Sequence, residues 1–279
     1  MQRRLSASPN TSSRWAWMGA GLGLALAFIT QAPAHWLTRA IEQVSGERVL
    51  LPDAQGTVWN GSAQWVLNEG PLNTAVSANL ARPSNTTALP TRVTWQLGPR
   101  LDLANLRLSF SATLASACCT PQPVHVDVSP LWHGVHVQVS NHTSRWPASW
   151  LVGLGAPWNT IQPEGRMQLQ TTQLQWTHQA GKAQLQGLAE LQMQQLSTRL
   201  STLRPLGTYR VRVQGGDAMA ITLDTLEGSL LLQGTGELQN GRVRFSGEAT
   251  AAPDAEAALS NLLNILGQRQ GAKSILKMG

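Results

Sequence analysis

Hydrophobic and polar residues alternate one by one through most of this chain. Val124, Val126 and Val128 in "VHVDV" and Val135, Val137 and Val139 in "VHVQV" recur at every second position, the period of a strand buried on one face. The "SPLWHG" between them reads as a hairpin loop. "TYRVRV" sets Tyr209, Val211 and Val213 against Arg210 and Arg212, and Asn240-Gly241 inside "GELQNGRVRF" is a strong two-residue hairpin signal. "GTVWNGSAQWVL" reads as one more strand. Thr57, Trp59, Gly61, Ala63, Trp65 and Leu67 share one face, and Val58, Asn60, Ser62, Gln64 and Val66 share a more polar one. Gly61 in that row leaves room for a ring or a crossing strand. "QGTVWNGSAQW", "EGRMQLQTTQLQW" and "EGSLLLQGTGELQ" each start with a polar residue and Gly and then alternate. Their spacing is too uneven for a solenoid, so they indicate one sheet-forming unit used several times.

Helical periodicity is confined to a few places. In "PDAEAALSNLLNILG", Pro253 suits a first turn, Leu259, Leu262, Leu263 and Leu266 share a face, and Gly267 ends the run. "RWPASWLVGLGAPW" predicts a short helical turn over 147–152 and a junction between two sheet halves near 145–160, while "ARPSNTTALP" reads as a surface loop. Near the start, "RWAWMGAGLGLALAFITQAPAHWLTR" carries no formal charge between Arg14 and Arg39. A membrane helix needs roughly 20 apolar residues, and the expectation is a span over 15–37, with residues 1–14 as a cytoplasmic arm and 38–279 exported. Arginines on the N-terminal side set that orientation. A helical pattern at Trp36, Leu37, Ala40, Ile41 and Val44 continues past Pro33. The alternative is a cleaved signal peptide ending in Ala32-Pro33-Ala34.

Composition supports sheet over surface helix. Only 13% of residues are charged, and Phe and Tyr number three and one against eleven Trp. Of the net +6, Arg3, Arg4 and Arg14 account for half, and the rest is spread without a cluster. That excludes the dense basic stripe of a nucleic-acid binder.

Chemistry-bearing constellations are scarce. His125, His133, His136 and His142 lie close in sequence, but a spacing of three on a strand points His133 and His136 to opposite faces, so solvent-facing histidines are expected rather than a metal site. The chain lacks a G-x-S-x-G elbow and a phosphate-binding loop, so no catalytic, metal or cofactor residues are assigned. Adjacent Cα atoms lie about 3.8 Å apart, shorter than the usual disulfide range of about 4.4–6.8 Å. Cys118 and Cys119 are therefore expected to be two small residues near a turn, with a redox switch or an intermolecular bond as the functional alternative. Trp59, Trp65, Trp95, Trp132, Trp146, Trp150, Trp158 and Trp176 either line an apolar groove or supply area to a thin β core, the latter being expected for most.

"GTVWNGSA", through Gly56, Thr57, Val58, Trp59, Gly61 and Ala63, resembles the hallmark G-T-[VL]-W-x-G-x-A of the type II secretion system protein N family. "VTWQLGP", "PLGTYRVRV", "LEGSLLLQGTGEL" and the Leu-rich helix follow in that family's order. The resemblance implies a mainly β protein, its antiparallel sheet curved into an open groove like that of the AsmA-like group. It further implies a non-enzymatic inner-membrane component that helps export folded proteins from periplasm across the outer membrane. Its partners would be other secretion components and the inner membrane, with lipid as a possible ligand and no cofactor. The alternative function is periplasmic handling of lipid or another hydrophobe. Neither the cysteine pair nor the basic tail, Arg269, Lys273 and Lys277, belongs to the motif.

Overall fold

Strict alternation of apolar and polar side chains leaves a strand one face to bury, and here nearly all such strands join a single sheet. The computed structural model describes residues 11–70, 86–102, 107–216, 218–239 and 242–278. Two helices lead, α1 (Thr11–Thr30) and α2 (Ala34–Val44). Short strands follow: β1 (Val49–Leu50), β2 (Gln55–Gly56), β3 (Asn60–Ala63), β4 (Val66–Asn68) and β5 (Thr86–Ala88). Then come β6 (Val93–Asp102), β7 (Arg107–Ser116), β8 (Val124–Leu131), β9 (Gly134–Val139) and β10 (His142–Pro147). A 3-10 helix (Ala148–Leu154) and one helical turn (Trp158–Ile161) precede β11 (Glu164–Gln179) and β12 (Lys182–Ser197). The chain continues as β13 (Gly207–Gln214), β14 (Met219–Gly228), β15 (Leu230–Gln239) and β16 (Arg242–Ala251). A C-terminal helix (Glu256–Leu266), β17 (Gln268–Gln270) and β18 (Lys273–Met278) close it.

Fifteen strands make one antiparallel sheet, ordered from β17 and β18 through β16 down to β11, then β9 to β6, β3 and β2, with β10 beside β11. β1, β4 and β5 form a separate three-stranded sheet. The long β11 changes neighbour along its length: Arg166–Thr171 pair with β10, and Leu174–Gln179 pair with β9. In all three "polar-Gly" segments the glycine has positive φ, at Gly56 (+87°), Gly165 (+140°) and Gly228 (+127°). The recurrence noted in the sequence is thus a repeated backbone kink at a strand end, which only glycine adopts without strain.

Several expectations are corrected here. The turn between β8 and β9 is only Trp132-His133, tighter than the six-residue loop expected, and His133 takes φ +66° to make it. Of the expected loop 81–90, Thr86–Ala88 form β5 by pairing with β4. Asn240 and Gly241 lie outside the described residues, although Gln239 and Arg242 pair across them. The expected continuous helix over 15–37 is broken. Pro33 sits extended (φ −71°, ψ 145°) before α2 and disfavours helix in the residue before it. Among the described residues no helix is long and apolar enough to cross a membrane. α1 nonetheless exposes Trp15, Trp17, Leu22, Leu24, Phe28 and Ile29.

Three apolar clusters hold the body together. The C-terminal helix buries Leu259, Leu262 and Leu263 against Leu206, Tyr209 and Leu230, each buried leucine contributing about 1.5–3 kcal/mol. α2 packs Leu37 and Ile41 against Leu51, Ala63 and Trp95. The third gathers Leu89, Val93 and Cys119 with Trp65, Trp146 and Trp150.

The opposite sheet face is polar but sparsely charged. Gln168, Gln192, Arg210, Asp224, Gln233 and Glu248 oppose one another across six strands. Its charges find partners across strands, including Glu190 with Arg212 (2.8 Å) and Glu248 with Lys273 (2.9 Å). The Arg212 guanidinium holds the Glu190 carboxyl below its usual range, and Gln192 helps, against the opposing effect of burial. A depressed folded-state pKa means this contribution is full above the unfolded carboxyl value, about 4.3, and is lost as pH falls through the folded value. Glu190→Gln should therefore lower the urea midpoint at neutral pH by a shift worth about 0.5–1 kcal/mol. Titrations at successively lower pH should show the variant and the parent converging below pH ~4.

Candidate functional site

The hallmark segment forms a clasp. Gly56 turns the chain at φ +87°, in a position where a Cβ would collide with the Asn60 carbonyl oxygen. Thr57 N–H then donates to Asn60 O (2.9 Å), and Asn60 N–H donates back to Thr57 Oγ1 (3.1 Å). This tight turn reaches the stretch between the two helices. Val58 N–H donates to Ala32 O (2.8 Å), the Trp59 indole Nε1–H donates to Ile29 O (2.7 Å), and Thr57 bridges to Pro33. Ile29 lies in the last turn of α1, where carbonyls lack helical partners. From the sheet side, Trp95 Nε1–H donates to Val58 O (3.1 Å) and Leu97 N–H to Trp59 O (2.6 Å). The Trp95 ring lies on Gly61, where a Cβ would come within 2.6 Å of it. Ala63 is fully buried beneath.

The single strand expected over this segment is therefore a hairpin, with β2 and β3 in the large sheet and β4 in the small one. Alternation could not reveal this, because the reversal depends on one positive φ and on partners some thirty residues away.

The tryptophans divide. Trp95 is 5% exposed, whereas Trp132 is 86% exposed at its hairpin tip and Trp176 is also exposed. Trp146 and Trp150 stack with centroids 5.2 Å apart, and Trp65 meets both edge-on. Cys119 is buried in this cluster. Cys118 and Cys119 occupy a turn as expected but are bonded to each other, which corrects the expectation of an unbridged pair. The turn is fixed by Cys119 N–H and Thr120 N–H, both donating to Ser116 O, and by Arg145 N–H donating to Cys119 O. That close turn gathers both sulfurs at one place. His125, His136 and His142 each share a hydrogen bond with a threonine on a neighbouring strand, at Thr113, Thr177 and Thr171. Among the described residues no group of three His, Cys, Asp or Glu could hold a metal ion.

What the sheet does assemble is a set of apolar rows on one face. Leu97, Ala112, Val126, Val139 and Leu174 oppose one another in one row. Pro99, Phe110, Val128, Val137, Trp176 and Leu185 form the next. Toward the C terminus Leu191, Val211, Leu223 and Leu276 share another row with Gly234 and Gly247. Those glycines and Gly236 leave space for the Phe245 ring, to which a Cβ on Gly247 would come within 3.1 Å. The alternation had not marked Phe245 or its glycines as a set, though the glycines stand at inward positions of their strands. Two pockets open on this face. One of 200 Å³ lies between α2 and the β6 region, beside Ile41, Trp65 and Trp95. The other, of 420 Å³, lies under the C-terminal helix. Both are walled by carbon alone.

These features define a mainly β protein whose antiparallel sheet gathers its apolar side chains on one face. Residues 47–275 match the model of type II secretion system (T2SS) protein N, and the chain belongs to that family. The match contains the whole clasp hairpin and all of the large sheet except the end of β18, and it begins after α2. Comparison with curated proteins and with solved structures gave no match. Membership makes the chain a type II secretion system component of the cell envelope.

The clasp can be tested at two points. Gly61→Ala drives a methyl into the Trp95 ring and the Gln55 carbonyl, and should destabilise by about 1–3 kcal/mol. Trp59→Phe keeps an aromatic ring but removes the donor to Ile29, and should cost at least about 0.5–1.5 kcal/mol. Denaturant unfolding followed by circular dichroism measures both.

Proposed function

We propose that this chain is a non-enzymatic component of the type II secretion system at the inner membrane, with its sheet in the periplasm, where it takes part in exporting folded proteins across the outer membrane through contacts with other components. The observation that carries this reading is the family match over residues 47–275. The exposed apolar surface of α1 supports the membrane placement. Arg3, Arg4 and Arg14, all preceding its apolar stretch from Trp15, support an orientation with that end in the cytoplasm. The motif residues Gly56, Thr57, Val58, Trp59, Gly61 and Ala63 have a structural role in this reading, holding the helical segment to the sheet.

Deleting the gene in a strain that depends on this system should leave secreted enzymes folded and active in the periplasm, with their appearance outside the cell reduced. Undiminished export would remove the proposal. A carboxyl-terminal reporter fusion should signal from the periplasm, and a cytoplasmic signal would overturn the topology.

A second reading is favoured by one observation, the pair of pockets walled only by carbon on the apolar side of the sheet. In it the protein handles a lipid or another hydrophobe, alone or as part of its secretion role.

A further inference from the structure

The larger pocket is built by the fold rather than left over from it. Its floor is the apolar face of β12 to β16, and its roof is Leu262 and Leu266 of the C-terminal helix with Trp158 and Ile161. One end is shut by Leu206, Tyr209 and Leu230, all buried. At the other end Val211, Ile221 and Val243 are only half-buried, so the pocket opens there along the strands. Tyr209 is a wall residue whose polar atom could have faced inward. Its hydroxyl instead donates to Leu230 O (3.0 Å), leaving the ring to the pocket.

Three physical constraints limit what fits. A polar or ionic ligand would lose its hydration and find no partner in carbon walls. Water is no better, since it needs two to four polar neighbours. A volume of 420 Å³ falls within the range of small-molecule pockets, about 300–1,000 Å³. What remains is hydrocarbon, slender enough to enter from one end and lie along the strands.

Resting on the second reading above, we propose that this pocket takes a single acyl chain of an amphiphile, with the terminal methyl toward Tyr209 and the polar head left outside beyond Ile221 and Val243. The apolar rows beyond the opening carry no part of this assignment.

The test uses the full chain in a fluorinated surfactant, whose tails mix poorly with hydrocarbon. Saturated fatty acids and lysophospholipids of increasing length compete with the fluorescent hydrophobe 1-N-phenylnaphthylamine. Each methylene inside the pocket should tighten binding about four-fold, until the pocket is full and the gain stops. Both series should break at the same chain length, because the head lies outside. Ile221→Trp narrows the opening and should move the break to shorter chains, while Trp158→Ala enlarges the roof and should move it to longer ones. Far-ultraviolet circular dichroism checks that each variant keeps its sheet. Affinity without a break, or a break that neither folded variant moves, overturns the assignment. Val137→Glu, on the same face outside the pocket, separates the two levels. Dye binding lost there but unaltered by both pocket variants removes the pocket and leaves the hydrophobe reading standing. If the parent chain binds neither the dye nor any acid, both fall.

Discussion

Register is the constraint on which this molecule depends. Side chains alternate across a strand, so a slip of one residue between any two neighbours would turn every apolar residue beyond it to the polar face. The sheet reaches from β2 to β17 without a break in pairing, and its apolar rows survive only because each pair is held in place. The pairing is most complicated at β11, where one strand serves two neighbours in turn. There the pairing with β12 shifts between Thr172 and Gln175. The irregularity is fixed in place: Gln173 takes φ +48°, Gly187 takes φ +88°, and Gln173 N–H donates to Asn141 Oδ1 (2.6 Å). A bulge placed and tied in this way absorbs the change of neighbour while Leu169 and Trp176, on either side, still meet Leu191 and Leu185.

The polar face answers the same demand in another way. Rows of glutamine, serine and threonine satisfy water without the repulsion that like charges would bring to opposed positions. Where charges do occur they are complementary, as Arg210 lies opposite Asp224 and Arg212 beside Glu190. The outermost strands, β2 and β17, span two and three residues, too short to offer another chain a long template.

Much of this was readable from the residue order, and the exceptions share a cause. Wherever two faces differed in polarity, as in Tyr209 to Val213 or Val135 to Val139, period two identified the strand and its inward side. The C-terminal helix was equally plain from its leucine spacing. The clasp was not. "GTVWNGSAQWVL" alternates as well as any strand here, yet its direction is set by Gly56 and by hydrogen bonds to Ile29 and Ala32. The division of the N-terminal helix was signalled by Pro33, but apolar residues on both sides concealed it. Bonding between Cys118 and Cys119 required the turn at Ser116. The larger pocket needed a roof brought from two distant segments, which no local pattern encodes.

The tie between α1 and the sheet has a mechanical meaning. Ile29, Ala32 and Pro33 are joined to Thr57, Val58 and Trp59, and Trp95 and Leu97 in turn grip that turn from β6. A pull along the leading helix is thus passed into the broad sheet within a few residues, bypassing α2 and the loops behind it. Tension at one end of the chain and the orientation of the sheet cannot vary independently.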